Sequence, residues 1–188
     1  MADDPGKLSK SAILGMVAMA FAVFVIANDF TALSVAIPAI EKDFGTTVNT
    51  TQWVINGYAM VFGVLIVTGG RLADMFGRRR AFFIGSAIFA TFSVLGGLAP
   101  NVWVLLACRF VMGVGGALMW PAVLGMTFGL LPRNKAGLAG GLVMGSAGFG
   151  NAFGPLLGGD LTDTVGWRWV FFLNLPIAVA GVLITYLV

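Results

Sequence analysis

The chain has 188 residues, of which 59% are apolar and only 10% are charged, and its mean hydropathy is +0.96. An ordinary soluble domain is about 45 to 50% apolar and about 25% charged, so this composition indicates a protein that lies in a bilayer. The chain has no histidine and a single cysteine, Cys108. These counts exclude His/Cys metal centres, Ser-His-Asp or Cys-His catalytic units and disulfide frameworks, so we expect no enzymatic activity, no metal and no cofactor.

Six apolar stretches are each about 18 residues or longer, which is the length of helix that spans about 30 Å of hydrocarbon. None shows the period-2 alternation that is typical of membrane barrel strands. We therefore predict an all-α membrane protein, with residues 1–188 forming a single bundle of six transmembrane helices. The predicted spans follow a terminal segment 1–10 and cover about 11–38, 53–70, 81–99, 102–124, 136–157 and 169–188.

Lysine and arginine residues are distributed unequally between the two sides of this bundle. The N-terminus and the loops after the second and fourth spans hold Lys7, Lys10, Arg71, Arg78, Arg79, Arg80, Arg133 and Lys135. The opposite side holds only Lys42 and Arg168. Because cytoplasmic loops carry an excess of positive charge, we predict a multi-pass protein of the plasma (inner) membrane with both termini in the cytoplasm. Topology thus accounts for the basic charge, and we expect no binding to nucleic acid.

Asp29 and Arg109 are the only charged residues inside the predicted spans. Counted at about 1.5 Å per residue, both lie in the outer half of the membrane, where they could face each other. Ionised side chains at this depth usually mark ion, proton or substrate pathways. Burial favours the protonated form of Asp29 and Arg109 favours the ionised form, so a change in their contact would move a proton. A static salt bridge that fixes the helix register is the alternative.

The fifth predicted span is rich in glycine, with nine glycines among residues 136–159. Small residues at a spacing of four allow close contact between the backbones of membrane helices. Such spacing is supplied by Gly141, Gly145, Gly150, Gly154 and Gly158. Pro155 lacks a backbone N–H, and we expect it to kink the end of this helix. The pattern predicts a close helix interface, either static or moving.

Four short motifs occur in order along the chain. They are Asp29-Phe-Thr31 with Ala36-Ile-Pro38, then Gly70-Arg-Leu-Ala-Asp74-Met-Phe-Gly77-Arg78-Arg79-Arg80, then Leu105-x-x-x-Arg109-x-x-x-Gly113, and finally Gly150-x-x-x-Gly154-Pro155-x-x-Gly158-Gly159. The stretch Trp167-Arg-Trp-Val-Phe-Phe-Leu-Asn174-Leu-Pro176 adds a further signature. Together these motifs resemble the N-terminal half of a major facilitator superfamily transporter, and specifically its fourteen-helix drug:proton antiporter branch. The resemblance covers essentially the whole chain.

The resemblance implies one half of a major facilitator fold, built from two inverted three-helix repeats. It implies that Asp29 and Arg109 handle a proton, and that helix five packs on the other half. It also implies that the cytoplasmic loop motif latches a gate, although a topology anchor is the alternative. From the residues themselves, we expect Gly70 and Gly77 to allow a tight reversal of the chain. The chain departs from the motifs at Met75 and Met112, where a basic residue and a glutamine are usual.

We therefore expect a transporter half that exports lipophilic or drug-like molecules by alternating access, driven by a proton gradient. Its candidate substrate contacts are Phe24, Trp53, Met60, Met112, Met119 and Trp120, although ordinary packing is the commoner role for such side chains. Expected partners are the bilayer, a small lipophilic substrate, and a second six-helix half or another copy. The alternative is a non-transporting membrane subunit or assembly factor. No charged flank follows the sixth span, and this leaves two alternatives open, a truncated fragment and a natural half-length protein.

Overall fold

In the computed structural model, residues 8–188 are described, and all regular structure within them is helical. A short 3-10 helix, Arg133–Lys135, precedes the sixth of seven α-helices. The α-helices are α1 (Lys10–Ala32), α2 (Ile37–Phe44), α3 (Val48–Phe76), α4 (Arg78–Gly97), α5 (Val102–Gly129), α6 (Ala136–Thr164) and α7 (Arg168–Leu187). Lys7, which we counted among the cytoplasmic charges, lies outside the described residues.

Five helices of the described chain, namely α1, α3, α4, α5 and α7, are long and apolar enough to cross a membrane. Helix α6 is 29 residues long and is not among these five; its sequence holds many glycines together with Asn151, Asp160 and Asp163. The prediction of an all-α protein with membrane-length helices is confirmed. The sixth span, over α6, stays a prediction.

The first predicted span, 11–38, is wrong as a single helix. Helix α1 ends at Ala32, residues 33–36 form turns, and α2 begins at Ile37. Pro38 lies in the first turn of α2, where its missing N–H has no intrahelical partner to lose. In a continuous α1 the same proline would remove a backbone hydrogen bond and clash with the preceding turn. The apolar stretch therefore divides into a long helix and a short one.

The connection between α3 and α4 is a single residue, Gly77. Helix α3 continues to Phe76, well beyond the predicted end at residue 70, and α4 begins at Arg78. Gly77 has a φ of +99°, a conformation that disfavours any side chain, although a Cβ there would meet no atom within 4 Å. Gly70 lies inside α3 without a positive φ. The expected reversal therefore occurs at Gly77 alone, and the expectation for Gly70 is wrong.

Helix α5 packs closely against both α3 and α4 because glycines lie at the contacts. A Cβ on Gly85 of α4 would lie 2.7 Å from the carbonyl oxygen of Gly115, and a Cβ on Gly115 would lie 2.8 Å from that of Gly85. A Cβ on Gly113 would lie 2.8 Å from the carbonyl oxygen of Tyr58 in α3. These close approaches bring the Arg109 turn of α5 within hydrogen-bonding distance of the α3 backbone.

Three glycines of the antiporter motif pack against α1 of the same chain. A Cβ on Gly150 would lie 2.8 Å from the carbonyl oxygen of Phe24, and a Cβ on Gly158 would overlap the carbonyl of Ala32. A Cβ on Gly154 would overlap Oγ1 of Thr31 and lie 3.0 Å from the backbone nitrogen of Ala32. These three glycines therefore make the close helix contact that their spacing predicts, and they make it with α1, while packing of this helix on another half stays a prediction.

The remaining positions of this glycine-rich helix differ from the buried ones. Gly141, Gly145 and Gly159 have no atom within 4 Å of a built Cβ, so they contribute no close contact within the described chain. Pro155 does not end α6, which continues to Thr164. Helix α6 therefore presents one tightly packed glycine face and one open one.

Gly158→Ala and Gly159→Ala form a matched pair of substitutions at neighbouring positions of α6. A methyl group at 158 would overlap the backbone of α1, so we expect the free energy of unfolding to fall by about 1 to 3 kcal/mol. A methyl group at 159 meets nothing and improves helix propensity, so stability should be unchanged or rise by up to about 1 kcal/mol. Denaturant titration of the purified chain in detergent measures both. Equal effects would contradict the packing of α6 on α1.

Candidate functional site

Asp29 of α1 and Arg109 of α5 form an ion pair in the interior of the bundle. Nη1 of Arg109 lies 2.6 Å from Oδ2 of Asp29, and neither side chain is exposed to any extent. The two residues are 80 positions apart in sequence and meet because α1 packs against α5. Removing an ion from water costs several kcal/mol, so each of these charges depends on the other for its stability.

The Arg109 guanidinium has further contacts on α3 and on its own helix. Its Nε donates a hydrogen bond to the carbonyl oxygen of Val54 at 2.6 Å, and its Cζ lies 4.3 Å from the centroid of the Tyr58 ring. Nη1 also lies 3.8 Å from Sδ of Met112, the residue that departs from the family motif. A thioether is a weak acceptor, and Nη2 has no hydrogen-bond partner among the described residues. Both N–H groups of Nη2 are therefore available to further acceptors.

The second oxygen of Asp29 is held by Asn174 of α7. Nδ2 of Asn174 donates to Oδ1 of Asp29 at 2.8 Å and lies 3.1 Å from Oγ of Ser93 in α4. The Ser93 hydroxyl donates in turn to the carbonyl oxygen of Phe171 at 2.8 Å. The sequence motifs include Asn174 without marking it as a partner of Asp29, and Ser93 lies outside them. Only their polarity within apolar stretches distinguishes these residues in the sequence.

The motif between α3 and α4 forms a separate polar cluster. Arg78 lies 3.3 Å from Oδ1 of Asp74 and donates to the carbonyl oxygen of Gly125, near the end of α5, at 2.9 Å. Arg79 donates to the carbonyl oxygen of Tyr186, near the end of α7, at 3.0 Å. Cations are stabilising near helix C-termini, where carbonyl groups lack intrahelical partners. These two arginines therefore hold the ends of α5 and α7, while Arg80 is exposed.

A third polar cluster joins α2 to the start of α7. Nη1 of Arg168 lies 2.6 Å from Oδ2 of Asp43, and Nε1 of Trp167 donates to the same oxygen at 3.2 Å. The Arg168 guanidinium also lies 4.4 Å from the centroid of the Trp167 ring. The pair is partly exposed, so it contributes little to stability.

Met112 and Met119, two of the predicted substrate contacts, are buried, with exposed fractions of 0% and 1%. They follow Arg109 at helical spacings of three and ten residues, so all three side chains lie toward the buried side of α5. Composition alone marks them as apolar but does not tell which side of the helix they occupy. Their prediction as part of an accessible substrate surface is wrong for this conformation.

The other four predicted contacts lie in separate places. Phe24 lines an apolar depression of about 350 Å³ between α1 and α6, and Trp53 lines another of about 420 Å³ between α3 and α5. Trp120 packs near Phe62, with ring centroids 6.3 Å apart, and Met60 is half exposed. The structure therefore does not bring these side chains together into one cavity.

Comparison with known proteins assigns a family to most of the chain. The sequence pattern of the Major Facilitator Superfamily matches residues 19–188. The tetracenomycin C resistance and export protein of Streptomyces glaucescens is 38% identical over 166 residues, which are 88% of this chain and 31% of that protein. A puromycin resistance protein of Streptomyces alboniger is 38% identical over 170 residues, 90% of this chain and 34% of its own length.

A third relative, the lincomycin resistance protein of Streptomyces lincolnensis, is 37% identical over 177 residues, which are 94% of this chain and 36% of that protein. The chain thus spans about a third of the length of these relatives. These relatives are named for antibiotic resistance or export and not for enzymatic reactions.

A double-mutant cycle on Asp29 and Arg109 tests how strongly the buried pair is coupled. Arg109→Met leaves a buried carboxylate without its counter-ion, so we expect the free energy of unfolding to fall by about 3 to 5 kcal/mol. The double variant Asp29→Leu/Arg109→Met should lose clearly less than the sum of the single variants. The same cycle on the exposed pair Asp74 and Arg78 should give a coupling of at most about 1 kcal/mol. Additive effects at the buried pair would contradict the observed contact.

Proposed function

The chain belongs to the major facilitator superfamily of membrane transporters and is an integral membrane protein, and on this premise we propose that it is part of a proton-coupled exporter. The proposed substrates are lipophilic, drug-like molecules. Support comes from the relatives, which are named for resistance to or export of tetracenomycin C, puromycin and lincomycin. The apolar depressions beside Phe24 and Trp53 would suit molecules of this class, because pockets for small ligands are mostly apolar.

The proposal of proton coupling rests on the buried ion pair of Asp29 and Arg109. A buried ion pair is often no more stabilising than apolar packing of the same size, so stability alone is a weak reason for its presence. Ionisable groups within a membrane commonly lie on proton or substrate pathways. A carboxylate is the group of this pair that can gain and lose a proton, since a guanidinium stays charged.

The proposed cycle starts when a proton from the outer side binds Oδ2 or Oδ1 of Asp29. The carboxylate becomes a neutral carboxylic acid, and its attraction to Arg109 falls. Arg109 then needs another acceptor, and its unpartnered Nη2 is available for one. Helices α1 and α5 change their contact, the proton leaves toward the cytoplasm, and the substrate crosses in the opposite direction by alternating access.

We further propose six membrane spans with both termini in the cytoplasm of the plasma (inner) membrane. Helix α6 is 29 residues long, about 44 Å at the helical rise, which is enough to cross the hydrocarbon core. The unequal distribution of Lys and Arg supports this orientation. The open face of α6, with Gly141 and Gly145 and the exposed side chains of Met144 and Leu156, would pack against a second six-helix unit.

Single cysteines on either side of α6 test this topology. On a Cys108→Ala background, Val165→Cys should react with a membrane-impermeant maleimide in intact cells. Asn134→Cys should react only after the membrane is opened. Both positions are exposed in the structure, so failure to react would come from the membrane and not from burial. Labelling of both from the same side would exclude α6 as a span.

Reconstitution of the chain into liposomes tests proton-coupled transport. With an imposed pH gradient, addition of puromycin or lincomycin should cause proton movement, which a trapped pH dye reports. We expect Asp29→Asn to abolish this movement, because an amide cannot carry the proton. Asp43→Asn makes the same chemical change in the exposed pair with Arg168 and should leave transport intact.

Three outcomes of this experiment are informative. Unchanged transport by Asp29→Asn would contradict the proposed coupling residue. A flat response together with a stable complex with another membrane protein would favour a non-transporting subunit. Mass measurement in detergent tells whether active preparations hold one chain, two copies, or this chain with a second half.

A further inference from the structure

Asn174 links Asp29 to two helices that the ion pair does not include. Its Nδ2 donates to Oδ1 of Asp29 at 2.8 Å, and the same nitrogen donates to Oγ of Ser93 in α4 at 3.1 Å. Neither Asn174 nor Ser93 has any exposed fraction. Asn174 itself belongs to α7, so the protonatable carboxylate of α1 is in direct contact with α5 on one side and α7 on the other.

The orientation of the Asn174 amide is determined by its two neighbours. The Ser93 hydroxyl gives its hydrogen to the carbonyl oxygen of Phe171 at 2.8 Å, so a lone pair of Oγ faces Asn174. Oδ1 of Asp29 is also an acceptor when the carboxyl group is ionised. Both neighbours therefore require the nitrogen of the amide, and Oδ1 of Asn174 is left without a hydrogen-bond partner in the described chain.

We propose that Asn174 is a positioning residue that stabilises the ionised form of Asp29, so that α7 sets the pH at which Asp29 takes up a proton. This inference rests on the proposed role of Asp29 as the proton-carrying group. A hydrogen bond donated to a carboxylate favours the charged form over the protonated one. In a low-dielectric interior that preference is stronger than in water.

Few other charged or titratable side chains lie near Asp29 in the described structure. Arg109 of α5 is the one charged side chain in hydrogen-bond contact with it in the described structure, and Tyr58 of α3 contacts that guanidinium. The other titratable side chain next to Arg109 on α5 is Cys108, a buried free thiol. Helices α4 and α7 present Ser93 and Asn174, which are neutral. Helix α6 meets α1 through glycines, and its two acidic residues, Asp160 and Asp163, lie beyond the last of these glycines in sequence.

The arrangement gives the protein a second way to change the state of Asp29. A hydrogen bond fails when its atoms separate by more than about 0.5 Å beyond the ideal distance. A small shift of α7 relative to α1 would therefore remove the Asn174 bond while the pair with Arg109 remained. Protonation of Asp29 would in this way be coupled to movement of α7 as well as to movement of α5.

Infrared titration of the purified chain in liposomes tests the proposal. The carbonyl stretch of protonated Asp29 is identified by its loss in Asp29→Asn, and its pH midpoint is then measured in each variant. Asn174→Leu should move this midpoint up by about one pH unit or more, a tenfold change in proton binding. Ser93→Ala keeps the Asn174 bond but frees the amide to turn, and it should give a smaller shift in the same direction.

Asn28→Leu is the matched control, because it removes another fully buried asparagine, one whose side chain makes no hydrogen bond in the described structure. Its midpoint should equal that of the unmodified chain. An unshifted midpoint in folded Asn174→Leu would overturn the proposal, with folding checked by circular dichroism. If Asn174→Leu does not fold, Ser93→Ala decides, and no shift there would overturn the proposal.

The titration needs neither substrate nor transport, so it separates the two proposals. A shifted midpoint in a chain that moves no protons across liposomes would support the role of Asn174 and count against the exporter. Substrate-dependent proton movement with an unshifted midpoint would support the exporter and count against the role of Asn174.

Discussion

The buried ion pair of Asp29 and Arg109 places a strict condition on the rest of the bundle. Polar atoms within a membrane must find partners inside the protein, because hydrocarbon offers none. The partners of this pair come from the backbone of α3 at Val54 and from the side chain of Asn174 on α7. Four helices must therefore keep a common register around one polar centre, and a slip of any one of them would leave a buried charge without its hydrogen bonds.

Glycine makes this register possible. A side chain at the contact would hold α5 too far from α3 for Arg109 to reach the α3 backbone, and Gly113 allows the required approach, because a Cβ there would lie 2.8 Å from the carbonyl oxygen of Tyr58. On the other side of α1, Gly150 and Gly158 do the same for α6.

The sequence predicts the centre of the site better than its surroundings. Charges at 29 and 109 stand out because an apolar span offers them no other partner, whereas one amide at 174 is tolerated in many membrane helices without a specific role. Burial of Met112 depends on which side of α5 meets α3 and α4, and the hydropathy of α5 differs little from one side to the other. The end of α1 at Ala32 could not be predicted from hydropathy either, because the apolar composition continues beyond that residue.

The positions of the arginines indicate which helices would move when Asp29 changes its charge. Arg78 ties the end of α5 to the start of α4, and Arg79 ties the end of α7 to the same place. Helices α4, α5 and α7 are therefore held together by contacts that do not involve Asp29. In the described chain α1 shows no arginine contact of this kind, but it packs along α7, meets α5 and α7 at Asp29 through the ion pair and the Asn174 bond, and meets α6 through glycines. Neutralising Asp29 would consequently weaken the polar contacts that α1 makes with α5 and α7, while its packing against α6 and along α7 would remain.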